Sequence, residues 1–153
     1  GLTQSLSEPS TLELRAGPRL SDGDVEPYFL FGWQREYARG NVAIEALWDE
    51  TTLLGENGIL ESRSVLVTWA HEFSADLEIN SSAGYAYLTE TGFSSDITYF
   101  NVSGIYRFSP AIEMTARYGF NAQLDDGSSV TSGRITHNVL SISITFTRPR
   151  RDA

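Results

Sequence analysis

Charged side chains recur at alternate positions in this chain, each flanked by apolar neighbours. Glu13, Arg15, Glu45, Asp76, Glu78, Arg107, Glu113 and Arg117 all stand in such settings, and Glu36 lies between Arg35 and Tyr37. Carboxylates and guanidiniums gathered on one side of a sheet can pair into a network that fills an enclosed space, or line a path for ions and solutes. Neither is nucleophilic catalysis, which needs a base such as His in reach of a Ser or Asp. Of the two histidines, His137 falls on the polar side of its segment near serines and carboxylates, and His71 falls on the apolar side near a turn. The Thr-His-Asn context of His137 matches no hydrolase motif, so no enzymatic activity is expected. Asp125-Asp126-Gly127-Ser128 offers carboxylates for calcium but lacks the remaining ligand spacing of an EF-hand loop, and reads as a turn. Asn80-Ser81-Ser82 and Asn101-Val102-Ser103 match the glycosylation sequon but fall inside strand-like segments. There is no cysteine, which removes disulfides, thiol catalysis and thiolate metal sites. No cofactor and no metal are expected.

The elements that must position these charges are strands. Between Pro110 and Leu124 the even positions Ile112, Met114, Ala116, Tyr118, Phe120, Ala122 and Leu124 are apolar or aromatic. The odd positions Glu113, Thr115, Arg117, Asn121 and Gln123 are polar. A period of two is a strand with one apolar face and one wet face. This one is long enough to cross a bilayer, which takes about 9–11 tilted residues. The same period recurs in Thr11–Gly17, Tyr28–Tyr37, Asn41–Asp49, Leu60–Phe73, Asp76–Leu88, Asp96–Phe108 and His137–Thr147, and no convincing helix is found.

Connections alternate in length. Ala38–Gly40, Ser74–Ala75 and Ser109–Pro110 are tight, whereas Pro18–Pro27, Glu50–Gly58, Thr89–Ser95 and Asp125–Thr136 read as longer polar loops. Bacterial outer-membrane barrels have short periplasmic turns and longer extracellular loops. That pattern predicts an even strand count with both termini periplasmic. Tyr37, Phe73 and Phe108 precede the tight turns and Phe146 stands at the matching place near the end, the arrangement of an inner aromatic girdle. Phe29, Trp48, Tyr85, Tyr87, Phe100 and Phe120 fall towards the other ends and suggest an outer girdle. A hairpin-sized repeat aligns Glu72–Ile79 with Arg107–Met114.

Composition agrees. A chain of 153 residues is one domain's worth. It has no apolar run approaching the ~18 residues of a membrane helix, so any span must be β. The mean hydropathy of −0.22 is compatible with strands whose every second residue is polar. Twenty acidic against eleven basic residues make the chain a poor match for nucleic acid. Gly1 to Ser10 has neither the basic nor the apolar region of a signal peptide.

The aromatic-Ser-Pro-apolar pattern at Phe108–Ala111, the Thr-Ala-Arg-Tyr run at Thr115–Tyr118 and the final Asn138–Phe146 segment resemble the C-terminal hairpins of the β-barrel porin 2 family. The resemblance spans about Val65–Arg148 and implies a bacterial outer-membrane barrel, some members being associated with exopolysaccharide export. This chain is shorter than that family's barrels and closer in scale to the small OmpA and OmpX types, so either a complete small barrel or a piece of a larger one fits. It also continues past the last aromatic, through Pro149 to Ala153.

The expectation is therefore an all-β, antiparallel, up-and-down transmembrane β-barrel of eight strands. Residues 1–10 would form a periplasmic segment, 11–148 the barrel and 149–153 a tail. Glu13, Arg15, Glu45, Glu78, Arg107, Glu113 and Arg117 would form a charge network plugging the lumen, because eight strands leave an interior just filled by side chains. Tyr37, Phe73, Phe108 and Phe146 would form the girdle. The partners would be outer-membrane lipid and a further protein in a membrane complex, the role structural. The alternatives are a porin or export channel, and a soluble lipocalin-like barrel with its apolar face inside.

Overall fold

The computed structural model describes the backbone at all positions except 8, 22–23, 53–58, 91–92, 128–129 and 148–153. Side chains are described outside those positions and outside 2–7, 19–21, 24–26, 51–52, 59–60, 127 and 130–132. Among the described residues there are nine strands: β1 (Leu2–Ser7), β2 (Ser10–Ser21), β3 (Asp24–Tyr37), β4 (Gly40–Thr52), β5 (Ile59–Glu72), β6 (Leu77–Glu90), β7 (Phe93–Ser109), β8 (Ile112–Gly127) and β9 (Val130–Phe146). They form one sheet in which each strand pairs antiparallel with the next in sequence. The eight expected strands are β2 to β9, in up-and-down order. No pair joins β9 to β1 among the described residues.

The register sorts every strand by face. Across β3 to β9, Gly32, Glu45, Leu66, Gly84, Tyr99, Asn121 and His137 lie in one row. The next row on the opposite face is Phe31, Ala46, Val65, Tyr85, Thr98, Ala122 and Thr136. A slip of one residue at any pair would exchange these faces, so the alternation read from sequence fixes the whole wall.

Three differences from the sequence expectations concern the ends of strands. The expected loop Pro18–Pro27 is largely strand, since pairing runs from Pro18↔Pro27 to Ser21↔Asp24. Thr89–Ser95 pairs as far as Glu90↔Phe93, and Asp125–Thr136 as far as Gly127↔Val130 with one register shift. Polar, Gly-rich and Asp-rich residues erase the period-two signal without stopping the backbone ladder, which the neighbouring strand sustains. Of Glu50–Gly58, the first residues belong to β4 and positions 53–58 lie outside the described residues.

The second correction concerns the first ten residues. They were expected to precede the wall, but Leu2–Ser7 forms β1 and Leu2 pairs with Leu14. Leu2 thus stands level with the middle of β2, and Phe146 lies at the tight-turn end beside Ile112. Polar composition hid β1, because Thr3 and Ser5 fit a wet face as readily as a loop.

No hydrophobic residue is buried among the described residues; the buried ones are Ser10, Ser95 and Thr115. A soluble barrel of the lipocalin type would bury its apolar face, since that burial is what stabilises it. Here Val65, Phe100, Leu140, Ile142 and Ile144 are exposed. The apolar-inside alternative does not survive this distribution.

Candidate lumen face

Period-two geometry puts the charged residues and the small polar residues on the same face of the sheet. Asn41, Ala70, Asn80, Ser103, Arg117 and Ser141 occupy one cross-strand row from β4 to β9. Thr68, Ser82, Asn101, Gly119 and Val139 occupy the next. Together these rows line a hollow of about 520 Å³. A second hollow of about 280 Å³ lies towards the far end, against Tyr99, Asn121 and His137. A third, of about 150 Å³, lies against Thr11, Glu13, Gln34 and Glu45. The lining chemistry is hydroxyl, amide and isolated charge, which exchanges hydrogen bonds with water or a polar solute without committing to one ligand.

The expected charges fall into separate groups. Near the tight-turn end, Arg107 Nη2 donates to Glu78 Oε2 at 3.2 Å and its Nε lies 3.6 Å from Glu113 Oε2. Asn80 Nδ2 donates to the other Glu78 oxygen at 2.8 Å. β7 thus carries one guanidinium between carboxylates of β6 and β8. Glu13 and Arg15 pair along β2 at 2.5 Å. Glu45 and Arg117 make no ion pair among the described residues, and Arg117 lines the hollow of about 520 Å³. These side chains remain open to solvent: Arg107 is 43% exposed, Glu113 39%, Arg15 59% and Glu13 31%. Pairs that wet contribute about 0–1 kcal/mol each.

His137 is exposed on this face beside Asn121. Asn80 and Asn101 are strand residues of the same face, within β6 and β7. The Asp125 segment expected to turn is instead strand, and Asp125 Oδ1 accepts hydrogen bonds from Ser95 Oγ at 2.7 Å and Gln123 Nε2 at 2.9 Å.

The opposite face carries the aromatic residues at the two ends. Tyr37 and Phe73 meet around His71, with ring centroids 5.7 and 4.6 Å from it, and Trp69 stacks on the same imidazole at 5.8 Å. Phe108 packs edge-on against Tyr106 at 4.7 Å, and Phe146 stands apart at the end of β9. At the far end the Arg63 guanidinium lies 5.1 Å from the Trp48 ring centroid and pairs with Glu61, while Tyr85 donates to Asp96. Aromatic rings with polar tips at both rims suit a membrane–water boundary. Sequence reading missed the part of His71 and Arg63 in these clusters, since neither is aromatic-apolar and only the register brings them beside the rings.

One contact of the polar face was also invisible in sequence. Gly84 and Tyr99 are direct cross-strand partners, and a Cβ at Gly84 would overlap the Tyr99 ring. The phenol lies over the bare backbone, an aromatic covering a strand glycine.

No protein-family model matches the sequence, that of the β-barrel porin 2 family included, and no curated protein is significantly similar to it. Solved structures are similar in fold. OmpT, an outer membrane protein of Vibrio cholerae folded in vitro, superposes with a TM-score of 0.61 at 11% identity over 90% of this chain. The fold is that of an outer-membrane β-barrel. A variant of the same OmpT lacking loop L8 gives 0.55, again at 11% identity, over 88% of this chain. This chain spans about half the length of the structures it matches, 48% of each.

Proposed function

We propose that the chain is the wall of a bacterial outer-membrane pore, with its apolar face in lipid and its polar face lining a water-filled path for ions and small polar solutes. The observation that carries this reading is the solvent exposure of the polar-face charges. A plugged lumen requires them packed and fully paired, because an unpaired buried charge is very costly. Here Arg117 projects among amides and hydroxyls with no carboxylate partner among the described residues, and the ion pairs stay local. An outer-membrane location is supported by the fold, and the end carrying Ala38–Gly40 and Ser109–Pro110 is taken as the periplasmic one. A solely structural role with a filled lumen is the competing reading, and the Glu78–Arg107–Glu113 group is what favours it.

The absence of native cysteine allows a clean test. In membranes, S103C on the polar face is expected to react with a water-soluble, membrane-impermeant thiol reagent, while V102C on the opposite face resists it. Protection of both would mean a plugged interior and would sink the pore.

A further inference from the structure

The polar face carries two arginines on neighbouring strands, and their surroundings differ. Arg107 of β7 stands between Glu78 of β6 and Glu113 of β8 and engages both. Arg117 of β8 has Ser103 and Ser141 as its cross-strand partners. It makes no hydrogen bond, ion pair or ring contact among the described residues. Between Glu113 and Asp125 the polar face of β8 has no further carboxylate, and the residues opposite on the same face of β7 and β9 carry none. Glu113 lies about 13 Å of strand away, and its charge is already shared with Arg107. A guanidinium holds its N–H donors in a planar fork that fits a carboxylate with two parallel bonds. Arg117 offers that fork to whatever occupies the hollow of about 520 Å³ that it lines.

The ground beside Arg117 is open and polar. Gly119, the next residue on the same face, has no side chain, and a Cβ there would come 3.0 Å from Asn101 Oδ1. Asn101, Gly119 and Val139 line both this hollow and the one of about 280 Å³ against Tyr99, Asn121 and His137. The two hollows therefore adjoin, and a solute held at Arg117 reaches amides and a phenol ring. Asn101 Nδ2 donates to Ser82 Oγ at 3.5 Å, a long bond that a solute hydroxyl can replace. The Tyr99 ring gives a flat apolar surface with a polar tip. We infer that Arg117 and the adjoining hollows form a binding site for a small hydroxylated carboxylate, a sugar acid. Its carboxylate would take the Arg117 fork, its hydroxyls Ser103, Asn101 and Asn121, and its ring would lie against Tyr99. The inference rests on the reading of this face as water-filled, and it names the solute class that the face selects.

D-glucuronate and D-glucose are the probes, since they differ by a carboxylate in place of a hydroxymethyl group. A ligand-observed NMR titration of the 153-residue chain in detergent measures binding without requiring conduction. Glucuronate is expected to bind at least about tenfold more tightly than glucose, because charge-assisted hydrogen bonds distinguish the two. R117Q should bring glucuronate to the level of glucose. R117K keeps the charge without the fork and should fall between, while R63Q on the opposite face should bind as the unaltered chain does. In the unaltered chain glucuronate, and not glucose, should also slow the reaction of Arg117 with phenylglyoxal, read at that residue by mass spectrometry. Equal binding of the two probes, glucuronate binding that R117Q leaves intact, or an unchanged phenylglyoxal rate would overturn the inference. So would a reactive S103C together with no glucuronate binding, a result that leaves the pore standing. Protection of S103C with no binding would remove both.

Discussion

Replacing Leu140 with arginine separates a lipid-facing residue from a water-facing one. Leu140 lies six residues from Phe146 along β9, and at about 3.3 Å per residue that is about 20 Å of strand. A tilt of about 45° converts this to about 14 Å of depth, half of a hydrocarbon core about 30 Å thick. Leu140 therefore sits at the bilayer midplane if Phe146 marks the inner boundary. An arginine there costs about 2–4 kcal/mol, a factor of about 30–900 in the unfolding equilibrium. Ser141 is the next residue and points to the polar face, so S141R should cost less than about 1 kcal/mol. In water the expectation differs, because Leu140 is 72% exposed and surface substitutions stay within about 0.5 kcal/mol. Reversible urea unfolding of L140R and S141R in phospholipid vesicles, followed by tryptophan fluorescence, distinguishes these expectations. Equal losses for L140R and S141R, or no loss for L140R, would refute the placement of the apolar face in lipid.

Further substitutions probe other parts of the wall. G40A places a Cβ against the backbone carbonyl of Ala70, which cannot move aside, and should destabilise by about 1–3 kcal/mol in the same unfolding assay. The Cβ of G84A first meets the Tyr99 ring, so its cost should largely vanish in a Y99A background, a double-mutant cycle that unrelated defects would leave additive. R107A leaves Glu78 and Glu113 without their shared guanidinium, yet should cost only about 0–1 kcal/mol and less at high salt; a loss above about 3 kcal/mol would indicate a desolvated, plugged lumen. R117E should shift the zero-current potential of reconstituted channels towards cation preference under a salt gradient. An unchanged potential would remove Arg117 from the path.

The faces of the strands were legible in sequence because a period of two survives every detail of packing. The tight turns at Ala38–Gly40 and Ser109–Pro110 were equally plain. The outer parts of β2, β3, β6, β7, β8 and β9 were not, since a Gly-, Asp- and Ser-rich strand beyond the bilayer needs no apolar face and looks like a loop. β1 escaped for the same reason. The spacing of the charges places them on one face, but their grouping depends on register. Arg107 meets Glu78 across a 29-residue separation, whereas Arg117 faces amides and hydroxyls, and no local pattern distinguishes the two.

A sheet with no buried apolar side chain among its described residues has an unusual source of cohesion. In a water-soluble domain melting releases hidden hydrocarbon to solvent; here the outward side chains meet hydrocarbon tails in place of each other. What disruption within the bilayer would uncover is the peptide group, which finds no substitute hydrogen bond there. The ladder itself is therefore the core, and its strength is set by how dry its surroundings are. Thinner or more hydrated membranes should loosen every rung at once, and resistance to heat becomes a joint property of protein and lipid.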